Sequence, residues 1–315
     1  MTFFVAAALA ALSLAAGYLY RRAWAWRPGR SVTPKGYGAL LPLFLLAGGV
    51  LLGDSPALLA IYAITAVGGA IYWIDDHSAV SFRIRFALQF LAGAAIGTIL
   101  LWPLLVAHPA WLAAGILAAA LVNIILTNAI NFFDGADLNS STMTVLVALL
   151  VLALGPALFF NTALVIVAFV VPFMIWNSVP ERLWFGDSGC FVVACLATAV
   201  AIESVLASAK MDLLPLVPVA WAVFDAFVVF LIRVSNKEDL LSRNYHHLYQ
   251  KMQARFGGWF YLLPQFANVA AVAGVAWLLM RTGLAAPWPI TAAAVVATPL
   301  IYLSCRAVFA QKASS

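Results

Sequence analysis

The sequence predicts an all-α, polytopic membrane helix bundle of about eleven transmembrane helices, N-terminus outside and C-terminus cytoplasmic. Three observations carry that expectation. First, 65% of the 315 residues are hydrophobic and only 9% are charged, and mean hydropathy is +1.02. Soluble domains run near 45–50% apolar and about 25% charged, so an ordinary soluble globule is excluded. Disorder is excluded too, because it needs low hydrophobicity. Second, apolar runs near the roughly 20 residues that cross a bilayer recur from end to end. Third, the basic residues segregate between alternate loops.

Taken in order, the first run, 2–20, has no basic segment before it and is followed by Arg21 and Arg22. It therefore reads as a first span entering from outside rather than a cleaved signal peptide. Pro, Gly and charge delimit further runs at 38–53, 57–74, 86–106, 110–131, 142–160, 162–178, 189–207, 213–234, 259–280 and 287–308. The second is short and is interrupted by Pro42 and the Gly48-Gly49 pair. The longest loop is 235–258, no repeat has a fixed period, and the chain reads as one integral-membrane domain over 1–315.

With the N-terminus outside, the inner loops and the C-terminal tail hold fifteen of the 17 basic residues; only Lys210 and Arg281 fall outside. Lys and Arg concentrate on the cytoplasmic side of membrane proteins. The net charge of +5 thus reflects topology rather than a nucleic-acid partner. Cys190, Cys195 and Cys305 have no CxxC spacing, which argues against a disulfide framework or a thiolate metal site.

Every dense cluster of acids, amides and histidines falls on that same inner face. Asp75-Asp76-His77 begins one inner loop, and Asn128-Ala-Ile-Asn131-Phe-Phe-Asp134-Gly-Ala-Asp137 leads into the next. Gly186-Asp187-Ser188-Gly189 starts a later span, and Arg243, His246 and His247 lie in the most basic loop. Burying ionised acids at a membrane interface is costly unless they are paired or bound to a cation. With oxygen donors only, Mg²⁺ is the natural neutraliser, with Mn²⁺ as its substitute. Mg²⁺ keeps water and phosphate in its shell, which points to a phosphate-bearing substrate.

Local spacing adds detail. Asn128, Asn131 and Asp134 are three apart and form a drifting stripe on a helix, which Gly135 ends. Asp75 and Asp76 are about 100° apart on a helix, which implies different roles. Gly186 and Gly189 permit close backbone approach beside a helix N-terminus that favours an anion. Lys35, with Gly36 and Gly38 in Thr33-Pro-Lys-Gly-Tyr-Gly, is a candidate substrate contact of the same kind. Asp225 alone lies well inside a span, roughly 14 Å from its inner end, and is a further candidate.

The ordered set TPKGYG, IDD, NAINFFDGAD, RLWFGDSG and HHLYQ resembles the polyprenyl-phosphate N-acetylhexosamine-1-phosphate transferases. That family includes phospho-MurNAc-pentapeptide translocase and the transferases that initiate O-antigen and teichoic acid linkage units. The resemblance runs from about residue 33 to 250. It implies transfer of a sugar 1-phosphate from a UDP-N-acetylhexosamine to undecaprenyl or another polyprenyl phosphate, with release of UMP. It also implies a multi-pass protein of the bacterial inner membrane with a cytoplasmic active site.

Carried over by motif, Asp75 and Asp76 resemble the pair that handles the lipid phosphate, one as base. Asp187 resembles the principal Mg²⁺ ligand, with Asp76 beside it. Asn128, Asn131, Asp134 and Asp137 resemble the lining of the nucleotide and metal site, Asp134 among the catalytic set. His246 and His247 resemble the loop that contacts the diphosphate, and Lys35 and Arg243 are candidate substrate contacts from their place in the inner loops. The oligomeric state stays open, a homodimer among the choices. Cys190 stands where a serine is usual, Leu138 where glycine is, and Glu181 where a small apolar residue is. The HLYQ ending is closer to transferases that use deoxy N-acetyl sugars. The rival reading is a secondary transporter or lipid flippase with acids as ion sites, which lie near the midplane in such proteins.

Overall fold

The computed structural model describes residues 1–25, 33–179, 182–208, 213–239, 244–281 and 287–309. Arg27, Arg30, Glu181, Lys210, Asp212, Arg243 and Lys312 lie outside the described residues. The helices are α1 (Thr2–Ala25), α2 (Leu41–Leu52), α3 (Pro56–Asp75), α4 (Phe82–Leu105), α5 (Pro109–Phe133) and α6 (Asn139–Leu154). They continue with α7 (Phe160–Ser178), α8 (Gly186–Ser208), α9 (Val217–Ser235), α10 (Leu248–Phe256), α11 (Leu263–Arg281) and α12 (Pro287–Phe309). No strand occurs among the described residues. Eight of the helical stretches are long and apolar enough to cross a membrane, and three more, Tyr37–Leu52, Asn139–Leu154 and Ala294–Phe309, are apolar but shorter.

These eleven stretches fall on the eleven apolar runs, with two differences. The predicted run 142–160 ends early, because Gly155 is extended and Pro156 follows; Pro removes a helical N–H and pushes the residue before it out of the α region. The loop 235–258 contains α10, a nine-residue helix at whose start the His247 amide donates to Gln250 Oε1 at 3.2 Å.

Helix starts follow local chemistry. Ser55 and Ser81 cap α3 and α4 by accepting from the amides of Leu58 (3.3 Å) and Ile84 (3.4 Å), and Pro56 and Pro109 occupy first turns where no N–H is needed. Between lipid-facing helices the hydrophobic effect adds little, so association depends on close contact and buried hydrogen bonds. Gly93 supplies such a contact, since a Cβ there would stand 2.7 Å from the Ala119 carbonyl of α5. Asn123 then ties the α4–α5 pair by donating to the Gln89 carbonyl at 2.7 Å.

The centre of the bundle is α8, packed by α3, α4 and α5, with Cys190, Phe191, Val192, Ala194 and Cys195 buried. Phe191 stacks on Tyr72 of α3 at 4.7 Å. Large apolar side chains such as Phe4, Val67, Leu91 and Trp111 are exposed on the outer faces, as a lipid-facing surface requires. The C-terminal ends of α3 and α5 and the N-terminal ends of α8 and α10 carry the motif residues, Arg85 and Ser140 lie at the starts of α4 and α6, and Asp225 lies mid-way along α9.

Candidate active site

Two loops build the floor. Residues 33–38 and 182–186 run against each other: Trp184 N donates to Pro34 O (2.9 Å), Tyr37 N to Trp184 O (3.2 Å) and Gly38 N to Phe185 O (3.0 Å). Gly186 has φ +82, a left-handed conformation that suits glycine. A Cβ on it would also meet Asp76 Oδ2 at 2.5 Å and Gly36 N at 2.6 Å. The glycine spacing thus lets both loops close on Asp76.

Asp76 ends α3 and caps α8. Its Oδ1 accepts from the amide of Asp187 (2.9 Å), and its Oδ2 accepts from the amide (3.2 Å) and hydroxyl (2.9 Å) of Ser188. The first N–H groups of a helix have no partner within it, and a carboxylate there also meets the positive end of the helix dipole. Burial pushes the Asp76 carboxyl up to about 6, and the neighbouring Asp187 charge adds to the rise, against the lowering effect of these hydrogen bonds.

Asp187, one residue into α8, keeps a side chain 37% exposed. It lies beside the Asn131 side chain and close enough to Lys35 to feel its charge. Arg85 bridges two acids: its Nη1 stands 3.1 Å from Asp75 Oδ2 and 3.7 Å from Asp187 Oδ2. Asp75 also accepts from the Val80 amide at 2.7 Å. The adjacent aspartates therefore differ: Asp75 faces a basic partner, and Asp76 faces a helix terminus.

Asp134 closes α5, and Ser140 of α6 donates to its Oδ1. Burial first, then the Asp187 and Asp76 charges, push Asp134 up to about 8, opposed by the hydrogen bonds from Ser140 and Cys190. The turn after it is pinned from several sides. Leu138 holds φ +63, the conformation for which glycine is the usual residue, and its amide donates to Asn177 Oδ1 at 2.5 Å. Asn139 Nδ2 donates to Phe133 O at 2.7 Å.

The remaining sequence candidates sit around this centre. Asp137 pairs with Arg182. Asn128 donates to Gln89 Oε1 (2.9 Å) and Ile124 O (2.8 Å). Lys35 is exposed, with its Nζ 5.0 Å from the Trp184 ring centre. His246 Nε2 pairs with Glu238 at 2.9 Å, whereas His247 turns inward to Asp225. The two histidines thus face different partners. Arg243 lies outside the described residues. Sequence reasoning counted Arg85 only for topology and passed over Ser140, Glu238 and Tyr302; the Asp225–His247 pairing has no local sequence signal.

Asp76, Asn131, Asp134 and Asp187 therefore share one site with Lys35, Arg85 and Asp75 at its edge. Among the described residues, no three carboxylate, histidine or cysteine side chains are grouped to hold a metal ion by themselves. The donor set still fits Mg²⁺, which takes one or two carboxylates and fills its shell with water and phosphate oxygens. A partly exposed Asp187 beside a partly buried Asp134 and the Asn131 amide offers that pattern.

Comparison with known proteins bears on the family the chain resembles. Residues 57–205 match the family described as Glycosyl transferase family 4. The family-4 region holds α3 through α8 up to residue 205, and with them every acid of the centre. It leaves Lys35, Asp225, His246 and His247 outside. The chain is also similar to the probable undecaprenyl-phosphate N-acetylglucosaminyl 1-phosphate transferase of Bacillus subtilis (strain 168), at 23% identity over 135 residues. That match covers 41% of this chain and 38% of the relative, so the chain spans well under half the relative's length. Family and relative both support the transferase resemblance of the motifs.

Proposed function

We propose that this chain is a membrane transferase that moves a sugar 1-phosphate from a UDP-N-acetylhexosamine, GlcNAc or a deoxy N-acetyl sugar, to undecaprenyl or another polyprenyl phosphate. An oxygen of the lipid phosphate attacks the β-phosphorus of the donor, the P–O bond to the α-phosphate breaks, and UMP leaves. The product is a polyprenyl-diphosphate sugar, the first intermediate of a cell-envelope glycan. The observation that carries this reading is Asp187, exposed at the start of α8, joined to Asp76, beside Asn131 and flanked by Arg85 and Lys35 within a family-4 core. The relative's name supports the lipid and the sugar class. The fifteen-to-two split of basic residues supports a cytoplasmic site, an outside N-terminus and eleven spans.

Attack of one phosphate on another brings like charges together, so screening and positioning do most of the work. Asp187, with Asn131 and Asp134, would hold Mg²⁺, which when bound neutralises charge on the diphosphate. Arg85 and Lys35 supply fixed positive charge at the edge. Asp76 orients Asp187 by capping α8. A phosphate monoester with a second pKa near 6 is mostly dianionic at pH 7, so little base strength is required of Asp75 or Asp76. The transporter reading needs an unpaired mid-membrane acid, and Asp225 is fully engaged by His247, Leu248 N and Tyr302.

The test is UMP release by purified protein given undecaprenyl phosphate and a panel of UDP-N-acetyl sugars, with and without Mg²⁺. Turnover with at least one donor, abolished by a chelator and restored by Mg²⁺ or Mn²⁺, is expected. Metal-independent turnover would overturn the part given to Asp187, and no turnover with any donor would overturn the reaction.

A further inference from the structure

The pair Asp225–His247 lies outside the family-4 region and outside the acid centre. Asp225 is 1% exposed in α9, and a buried carboxylate in a bundle surrounded by lipid is costly unless satisfied. Donors from separate segments converge on it. His247 Nδ1 stands 2.5 Å from Oδ2, and Leu248 N (3.0 Å) and Tyr302 OH (2.5 Å) donate to Oδ1. Arg306 Nη1 in turn donates to Tyr302 OH at 3.0 Å.

Two donors, Leu248 N and Tyr302 OH, meet Oδ1 and favour the ionised carboxylate, so Oδ2 is assigned as acceptor and the imidazole proton to Nδ1. Ring plane and tautomer are fixed together, and Nε2 remains for another partner. The ring stacks on Tyr249 at 5.5 Å and stands 6.3 Å from Phe132. Tyr249 OH donates to Phe132 O at 3.1 Å and covers Gly135, where any Cβ would collide with it. His247 is thereby held against the end of α5 that bears Asn131 and Asp134.

We propose that Asp225 is a positioning residue for substrate binding: through Nδ1 it locks His247 so that Nε2 serves the diphosphate of the sugar donor, with Tyr302 and Arg306 holding Asp225. This rests on the transferase reading above. The arrangement links α9, α12 and the start of α10 to the end of α5 through hydrogen bonds and ring contacts. His246, paired outward with Glu238, takes no part.

The test uses full-length protein with UDP-N-acetylglucosamine, or whichever UDP-sugar the wild type turns over, and undecaprenyl phosphate. Asp225→Asn and His247→Gln are each expected to lower kcat/KM for the donor by about 10–100-fold, with the KM for lipid phosphate little changed. The double variant should fall within about threefold of His247→Gln alone, because both losses pass through one ring. Multiplied losses would overturn the proposal, as would an Asp225→Asn rate within twofold of wild type.

A second arm needs no turnover. ¹⁵N-histidine spectra of a protein with four histidines should show His247 protonated at Nδ1 in the wild type and redistributed in Asp225→Asn. An unchanged tautomer overturns the lock even if the enzyme is active. A wild type with no activity but the expected spectrum would sink the transferase reading and the donor contact with it, and leave the lock standing. Should Asp225→Asn not fold, Tyr302→Phe with the same two readouts decides, and unaltered rate and spectrum would overturn the proposal.

Discussion

The Asp76 carboxylate caps the helix that carries Asp187, although 111 residues separate the two in sequence. The end of α3 and the start of α8 are thereby one unit, and one acid is oriented by the other.

This relationship separates the two aspartates experimentally. Asp76→Asn leaves an amide N–H2 facing a helix amide or Ser188, and a buried unmet donor costs about 1–3 kcal/mol. Lower thermal stability in detergent is expected, together with loss of UMP release. Asp187→Asn removes a partly exposed charge from an acidic centre, so the melting temperature should hold or rise while the rate falls by orders of magnitude. Equal melting shifts for the two variants would contradict the division.

A pH series tests the same centre without turnover. Asp76 is raised to about 6 and Asp134 to about 8, in both cases chiefly by burial. A raised folded-state value means that the folded chain holds these protons more tightly than the unfolded one. Their contribution to stability is complete below the ordinary value of 3.8 and is lost as pH rises through 6 and then 8. Melting temperature without divalent cations should therefore fall across that interval. A cation needs the deprotonated carboxylates, so stabilisation by Mg²⁺ should grow with pH over the same range. Protection by Mg²⁺ that is flat from pH 5 to 8.5 would argue against these carboxylates as its site.

The Cys190 thiol lies beside Asp134 and favours its charged form; the family that the motifs resemble usually has serine there. Cys190→Ser should fold normally and keep activity within about threefold, since a hydroxyl is a better donor to a carboxylate than a thiol. Its Mg²⁺ stabilisation should appear at lower pH, because the stronger hydrogen bond favours the charged acid.

Gly186→Ala probes the close approach of the two loops. The methyl group would meet Asp76 Oδ2 at 2.5 Å at a residue with φ +82, adding backbone strain of about 1–3 kcal/mol. The variant is expected to lose stability and activity together, whereas Gly53→Ala, with the same sign of φ and open space around it, should lose stability only.

Arg85→Gln removes the bridge between Asp75 and Asp187. A roughly tenfold or greater loss of rate is expected at neutral pH, and Arg85→Lys should recover part of it, since a point charge cannot match both carboxylates as a guanidinium does. Full activity in Arg85→Gln would remove this residue from the site.

Several features were legible along the chain because their causes are local. Apolar runs between Pro, Gly and charge located the helices, since a bilayer demands length and hydrophobicity and little else. Gly186 marked a close backbone approach, because a residue without a Cβ is what such an approach requires. The acids were recognisable as a set because their cost in an apolar chain has to be met by something. Helix α10 escaped notice: it is short and polar, and His247 is an unusual residue at its start.

The sequence by itself determined an all-helical membrane chain and the residue types of its polar end, since hydropathy and spacing act over a few turns. Tertiary structure alone decided which acid meets which donor: Asp75 with Arg85, Asp76 with the amides of α8, Asp225 with His247 and Tyr302. Those pairings follow from how helices pack side by side. Packing joins residues far apart in the chain through steric fit and hydrogen-bond satisfaction, and neither leaves a periodic trace in the order of amino acids.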